Sequence, residues 1–385
     1  MKRCIYCRQE KDDDQFTLEH VIPQFLGGAY TPESFKIRDV CKNCNNNLGL
    51  FVDAGFEKNW LVSNNLRQAA YAFFDPENPT GLPLICMGNS DLVPPQLHEH
   101  EVCETWLGPL GEQIFWIRPH DERLFWYAGG NPRTAKKVES RAYFLFSERS
   151  LKNPLITWLA FRDAFEGRRV KKIMCTTVYG SNPEDIGFKR PDELDQLRIV
   201  FFNKACAGMQ LRQNQIPFYT HFDFRFLAKL GIGISYALFG EKTLNTKYAD
   251  ELYKGLWHKE GDPQPQINGK TALFHKSDPI FQKLTGEENS VTIIIQPFPE
   301  GITLSLNLGT SLNWIIKFAE LNNLSSKEIE LIKDGYVILL FRQLKRGITM
   351  TLADYLAHKT GLKKHAELLE ISSMFELHKD YFKNL

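Results

Sequence analysis

Two Cys-x-x-Cys pairs, Cys4/Cys7 and Cys41/Cys44, bracket the segment Thr17-Leu18-Glu19-His20-Val21-Ile22-Pro23 near the start of a 385-residue chain. Four thiolates in two such pairs complete a tetrahedral structural zinc site with no help from the rest of the protein. The gap between the pairs is longer than a compact zinc ribbon needs, and Glu19-His20 falls inside it. An imidazole titrates near neutral pH and can take a proton from water, which suits His20 to the role of general base. A carboxylate is a hard ligand for Mg2+ or Mn2+, which suits Glu19 to a catalytic divalent metal. Asn45, directly after Cys44, adds a neutral carbonyl oxygen, and Asp53, eight residues on and near the same helical face, is a further candidate ligand. A base and a hard cation on one rigid platform are what phosphodiester hydrolysis requires.

The elements that would hold these groups follow from the local pattern. Phe16 to Ile22 carries β-branched residues in weak alternation and reads as a strand that Pro23 ends. Gly27-Gly28 marks a turn, and Phe35 to Val40 is the second strand. Cys44-Asn45 opens a helix whose residues Leu48, Phe51, Val52 and Phe56 share one face. On a strand, Glu19 and His20 point to opposite sides, so both reach one site only where the strand twists or ends.

Strand, turn, strand and helix with these residues resemble the HNH, or ββα-metal, endonucleases stapled by a four-cysteine zinc site. The shared pattern is Cys-x-x-Cys, acid-His-x-x-Pro, a Gly-rich loop, then Cys-x-x-Cys-Asn with Gly49 a few residues later. It covers roughly residues 1 to 66. The resemblance implies a DNA endonuclease, with His20 as general base and Glu19 and Asn45 as ligands of the catalytic metal. RNA is the second substrate choice. The sequence departs from the family at the residue that orients the histidine. Tyr30 to Val40 contains no Asn, which leaves Ser34 or a backbone carbonyl for that task. The reading from a different class is a non-catalytic zinc module that binds nucleic acid or protein.

The rest of the chain bounds this reading. A net charge of +1 excludes a generally basic body, so a polyanion must be held by local patches or a metal. Met1-Lys2-Arg3-Cys4 has no apolar signal core, and the apolar run Phe226 to Phe239 is broken by Lys229 and too short for a bilayer. A cytoplasmic chain without membrane contact is expected. The fold class is α+β, a small zinc-stapled domain followed by a larger mixed region. Pro- and Gly-rich stretches at 76–96 and 259–270 set boundaries giving domains 1–75, 76–260 and 261–385. Aromatic-rich segments including Val102 to Leu107, Ile114 to Arg118, Leu124 to Tyr127 and Arg141 to Phe146 read as an antiparallel meander. Arg198 to Asn203 reads as a strand, and Phe224 to Phe239 and Tyr248 to Trp257 read as helices. Basic residues Arg168, Arg169, Lys171 and Lys172 are a candidate phosphate patch. An ungated nuclease harms its host, so the remainder is assigned target selection or control in restriction or phage defence. A regulatory protein or small-molecule activator is the expected partner, and a homo-oligomer would allow both strands to be cut.

Overall fold

The computed structural model describes residues 1–178, 180, 182–208, 213–217, 219–259, 261–272 and 278–384; position 260 of the expected second linker lies outside them. The chain divides into two compact units, Met1–Glu57 with Tyr219–Ile371, and Lys58–Phe218 with Ser372–Leu385. These divisions replace the expected boundaries at 75/76 and 260/261. The cause is the small size of the N-terminal module, which cannot bury its own apolar face. Phe56 is fully buried because its ring stacks on Phe226 at 4.0 Å and meets Trp314 edge-on at 5.1 Å. The stretch 76–96 is no linker either, since it feeds the strand Ile85–Ser90.

In the first unit, β1 (Phe16–His20) and β2 (Lys36–Cys41) form an antiparallel pair, followed by α1 (Lys42–Leu48). A long helix α2 (Thr220–Phe239) and α3 (Lys247–Trp257) come next, as the apolar pattern predicts. Strands β3 (Val291–Phe298), β4 (Gly301–Leu308), β5 (Leu312–Ala319), β6 (Tyr336–Phe341) and β7 (Arg346–Thr351) then build one antiparallel sheet. Its order is Gly269–Lys270, β5, β4, β3, β6, β7. The β3–β4 hairpin pairs Val291 with Leu308 and closes at Phe298 and Gly301. Ile293, Ile295, Leu304, Leu306 and Trp314 are buried, which gives α2 an apolar surface to pack on.

Asp223 on α2 ties that packing to a titration. Its Oδ2 accepts the Trp314 indole N–H at 2.8 Å, whereas Oδ1 is buried with no hydrogen-bond partner. Burial pushes the carboxyl up to about 6, against the pull of the Trp314 bond. The folded chain therefore binds a proton that the unfolded chain has released above about pH 4, and stability falls as pH rises from there through 6. Asp223→Asn keeps an acceptor for Trp314 without the charge. It is expected to raise stability by about 1–3 kcal/mol at pH 7.5 and by a clearly smaller amount at pH 4.5, read from thermal melts at both values.

The second unit holds a six-stranded sheet in the order Asn214–Gln215, Ile85–Ser90, Glu101–Leu107, Gln113–Pro119, Ser140–Leu145, Val170–Met174, antiparallel except for the last, parallel pair. Trp106, Trp116 and Phe144 lie in its core. Leu124 to Tyr127 is a turn, with Leu124 at φ 62°, and not a strand of the meander. Arg198 to Asn203 belongs to the helix Glu193–Ala207, which a reciprocal Asp192/Asp195 capping box opens. That cap overrides the strand propensity of Ile199 and Val200. Of the four basic residues expected as a phosphate patch, Arg169 is exposed and pairs with Glu139 at 3.5 Å, and the other three are engaged inside the unit. Lys171 pairs with Asp192 and Asp195 at 2.8 and 2.5 Å. Lys172 donates to the carbonyls of Phe161 and Arg162, and Arg168 lies over the Trp116 ring at 4.9 Å. No helix among the described residues is long and apolar enough to cross a membrane.

Candidate active site

The two zinc pairs converge as their spacing predicts. A short hairpin, Lys2–Arg3 with Glu10–Lys11, presents Cys4 and Cys7, while Cys41 ends β2 and Cys44 lies in α1. The four Sγ atoms all lie within 4.8 Å of one another. Tetrahedral zinc with bonds of about 2.3 Å sets its sulfurs about 3.8 Å apart, so the cluster fits the ion. The Cys41 backbone N–H points to Cys4 Sγ at 3.4 Å, and the Cys4–Cys44 contact lowers Cys4 while raising Cys44, so a cation is needed to hold both as thiolates.

The hairpin between the pairs is irregular at the residue before Glu19. Thr17 pairs with Val40 and Glu19 with Ile37, with a bulge between Thr17 and Glu19. The extra residue is on β2, where Arg38 and Asp39 together oppose the single residue Leu18, and such a bulge kinks the pairing just before the Glu-His pair. The Leu18 carbonyl accepts the Asn45 side-chain amide at 2.9 Å, which stitches the start of α1 to β1. After the strand, Gly28 comes so close to Ile22 that a Cβ would sit 1.6 Å from its carbonyl oxygen. Only glycine allows that approach, and it fixes the chain just beyond the Glu-His pair.

Glu19 and His20 then face different surroundings. Glu19 is 4% exposed, and its Oε1 receives Lys229 Nζ at 2.9 Å and the Tyr6 hydroxyl at 3.4 Å. The same ammonium reaches Asp53 Oδ2 at 2.6 Å. Asp53 arrives there because the helix after α1 passes through a π turn at Gly49–Asp53, which rotates the following residues relative to a regular helix. Burial raises both carboxyls, with Lys229 opposing it. Burial also works against the Lys229 charge, yet Asp53 and Glu19 hold the ammonium above its usual range. Two expected metal ligands, Glu19 and Asp53, thus meet at a lysine. Asn45 is held instead at Leu18.

His20 lies opposite Lys36 in the ladder and is partly exposed. Burial, then the Lys36 ammonium, lowers its pKa, with Glu33 opposing them. The imidazole is therefore neutral at pH 7, the form that accepts a proton. Ser34, the expected stand-in for the orienting Asn, is exposed. Nearby, the Val21 N–H donates to the Phe35 carbonyl at 3.0 Å, so backbone pairing holds this loop to the strand end.

Sequence reasoning brought Glu19, His20, Asn45 and the cysteines into one module but did not find Lys229. Its only trace was a lone cation within the apolar run Phe226 to Phe239. Residues 4–61 match the model of a family described as HNH endonuclease. No curated protein and no solved structure matches the chain.

Proposed function

We propose that this chain, whose N-terminal region is an HNH endonuclease module with a four-cysteine site, hydrolyses phosphodiester bonds in DNA with His20 as general base. One observation carries the reading: a neutral, partly exposed imidazole sits at the end of β1, which is tied through Leu18 to the helix that brings Cys44 to the four-thiol cluster. His20 takes the proton of the attacking water, and the rigid hairpin fixes where that water must stand. Cys4, Cys7, Cys41 and Cys44 would hold a zinc ion, which closes the platform and takes no part in bond cleavage.

The Mg2+ or Mn2+ expected at Glu19 and Asn45, with Asp53 as a further ligand, would supply charge to the leaving oxygen. The arrangement of Glu19 does not fit that ion, because the Lys229 ammonium already takes its Oε1 and the nearer oxygen of Asp53. The scheme therefore includes no metal step. A single site makes one nick, and cutting both strands requires a pair of chains or two successive events. Control of such a nuclease in restriction or phage defence is consistent with the length of chain outside the module. The second reading, a zinc-stapled interaction module without catalysis, is favoured by the same Lys229 contacts.

The test is slow conversion of supercoiled plasmid to nicked circles by zinc-loaded full-length protein, with the matching RNA as a parallel substrate. Nicking of the DNA supports the reading. No cleavage of either polymer leaves the interaction module, and cleavage of RNA alone moves the substrate class.

A further inference from the structure

We propose that Lys229 is the resident cation of the Glu19–Asp53 site and that, while α2 is docked, it keeps a divalent ion off Glu19. The HNH reading supplies the expectation that Glu19 binds metal; the lysine contacts stand independently of it. Lys229 Nζ lies 2.9 Å from Glu19 Oε1 and 2.6 Å from Asp53 Oδ2, and all three side chains are largely withdrawn from solvent. A magnesium-sized ion needs carboxylate oxygens at about 2.0–2.1 Å in an octahedral shell. The ammonium occupies that approach to both oxygens, so ion and lysine compete for the same place.

The face of α2 that delivers the lysine is built for close contact. Phe226, Lys229 and Gly233 follow at i, i+3 and i+7 and so share one side of the helix. Phe226 stacks on Phe56 at 4.0 Å. One turn beyond Lys229, a Cβ on Gly233 would meet Val21 Cγ1 at 2.8 Å and the Tyr6 hydroxyl at 3.0 Å. Absence of a side chain there lets the helix press against the residue that follows His20 and bring Nζ to Glu19. Two carboxylates share one ammonium, and Asp53 Oδ1 is buried without a hydrogen-bond partner. The site thus retains a demand for positive charge that a metal would meet once the lysine is gone.

The experiment titrates full-length, zinc-loaded protein with Mn2+ alone and follows free and bound ion by electron paramagnetic resonance. Wild type and Lys229→Arg are expected to show no Mn2+ site that depends on Glu19. Lys229→Met is expected to gain one, lost again in Lys229→Met/Glu19→Gln. A Glu19-dependent site in wild type as tight as that in Lys229→Met overturns the proposal. So does the absence of such a site in a Lys229→Met protein that keeps its zinc and melts cooperatively. Amine labelling of wild type, read by mass spectrometry, covers the case in which that variant does not fold. Lys229 should stay unlabelled with and without millimolar Mn2+, and labelling that appears only with Mn2+ overturns the exclusion. If the Mn2+ pattern holds and no protein nicks DNA, the exclusion stands and only the nuclease reading falls.

Discussion

His20→Ala is expected to lower the rate of DNA nicking by about 10²–10⁴-fold, the usual contribution of a positioned general base. Zinc content and melting temperature should change little. The imidazole is partly exposed and none of the four thiols depends on it, so its removal opens no core cavity. That separation makes His20 a better probe of chemistry than Glu19. Glu19→Ala would leave Lys229 with Asp53 alone and the buried Tyr6 hydroxyl without Glu19, and breaking a buried pair typically costs about 3–5 kcal/mol. A loss of activity there would mix folding with catalysis. The measurement is single-turnover nicking by wild type and His20→Ala, with zinc counted and melts recorded on the same preparations. Equal rates in the two proteins would remove His20 from the mechanism.

How much of this was legible in the sequence follows from the range of each interaction. The zinc site was readable because ligand type and short spacing within each pair carry the geometry. The ββα order was readable for the same reason, since strand, turn and helix are local patterns. Lys229 was not, because its partners Glu19 and Asp53 lie far earlier in the chain and nothing near it in sequence announces an acid. It registered only as the residue that interrupts the apolar run Phe226 to Phe239. With its partners in view, the interruption has a cause: a helix surrounded by core on most sides tolerates a lysine only if carboxylates meet it.

The compact units divide the chain away from the expected boundaries for a related reason. Pro- and Gly-rich stretches mark turns, and turns occur within domains as well as between them. What joins Met1–Glu57 to Tyr219–Ile371 is side-chain packing such as Phe56 on Phe226, which no local pattern encodes. Asp53 illustrates a subtler limit. A regular helix places it near the face of Asn45, but the π turn at Gly49–Asp53 turns it toward Lys229, and π turns have no strong sequence signature.

Removing zinc is expected to have the largest effect on structure. Binding of a structural zinc ion is worth about 10–16 kcal/mol in small zinc-dependent folds, as much as the whole stability of a typical domain. Here part of that loss is cushioned, because the knuckle around Cys4 and Cys7 is also gripped by α3. The Tyr253 hydroxyl donates to the Ile5 carbonyl at 2.6 Å, and the Trp257 indole donates to the Tyr6 carbonyl at 3.0 Å. Arg8 pairs with Asp250 at 2.6 Å, and its guanidinium lies over the Tyr253 ring at 3.8 Å. Chelation, or Cys44→Ser, should therefore release these contacts together and not unravel the knuckle alone. Trp257 is a natural reporter, since its N–H bond depends on the knuckle staying in place. The expected result is release of one zinc per chain, a change in tryptophan emission that Trp257→Phe removes, and early proteolysis near Arg8 and Lys11. The sheet of β3 to β7 should outlast the knuckle, because its hairpin register rests on its own buried strands. Emission and cleavage pattern unchanged after zinc loss would mean that the α3 contacts alone hold the module, and that zinc is not what closes it.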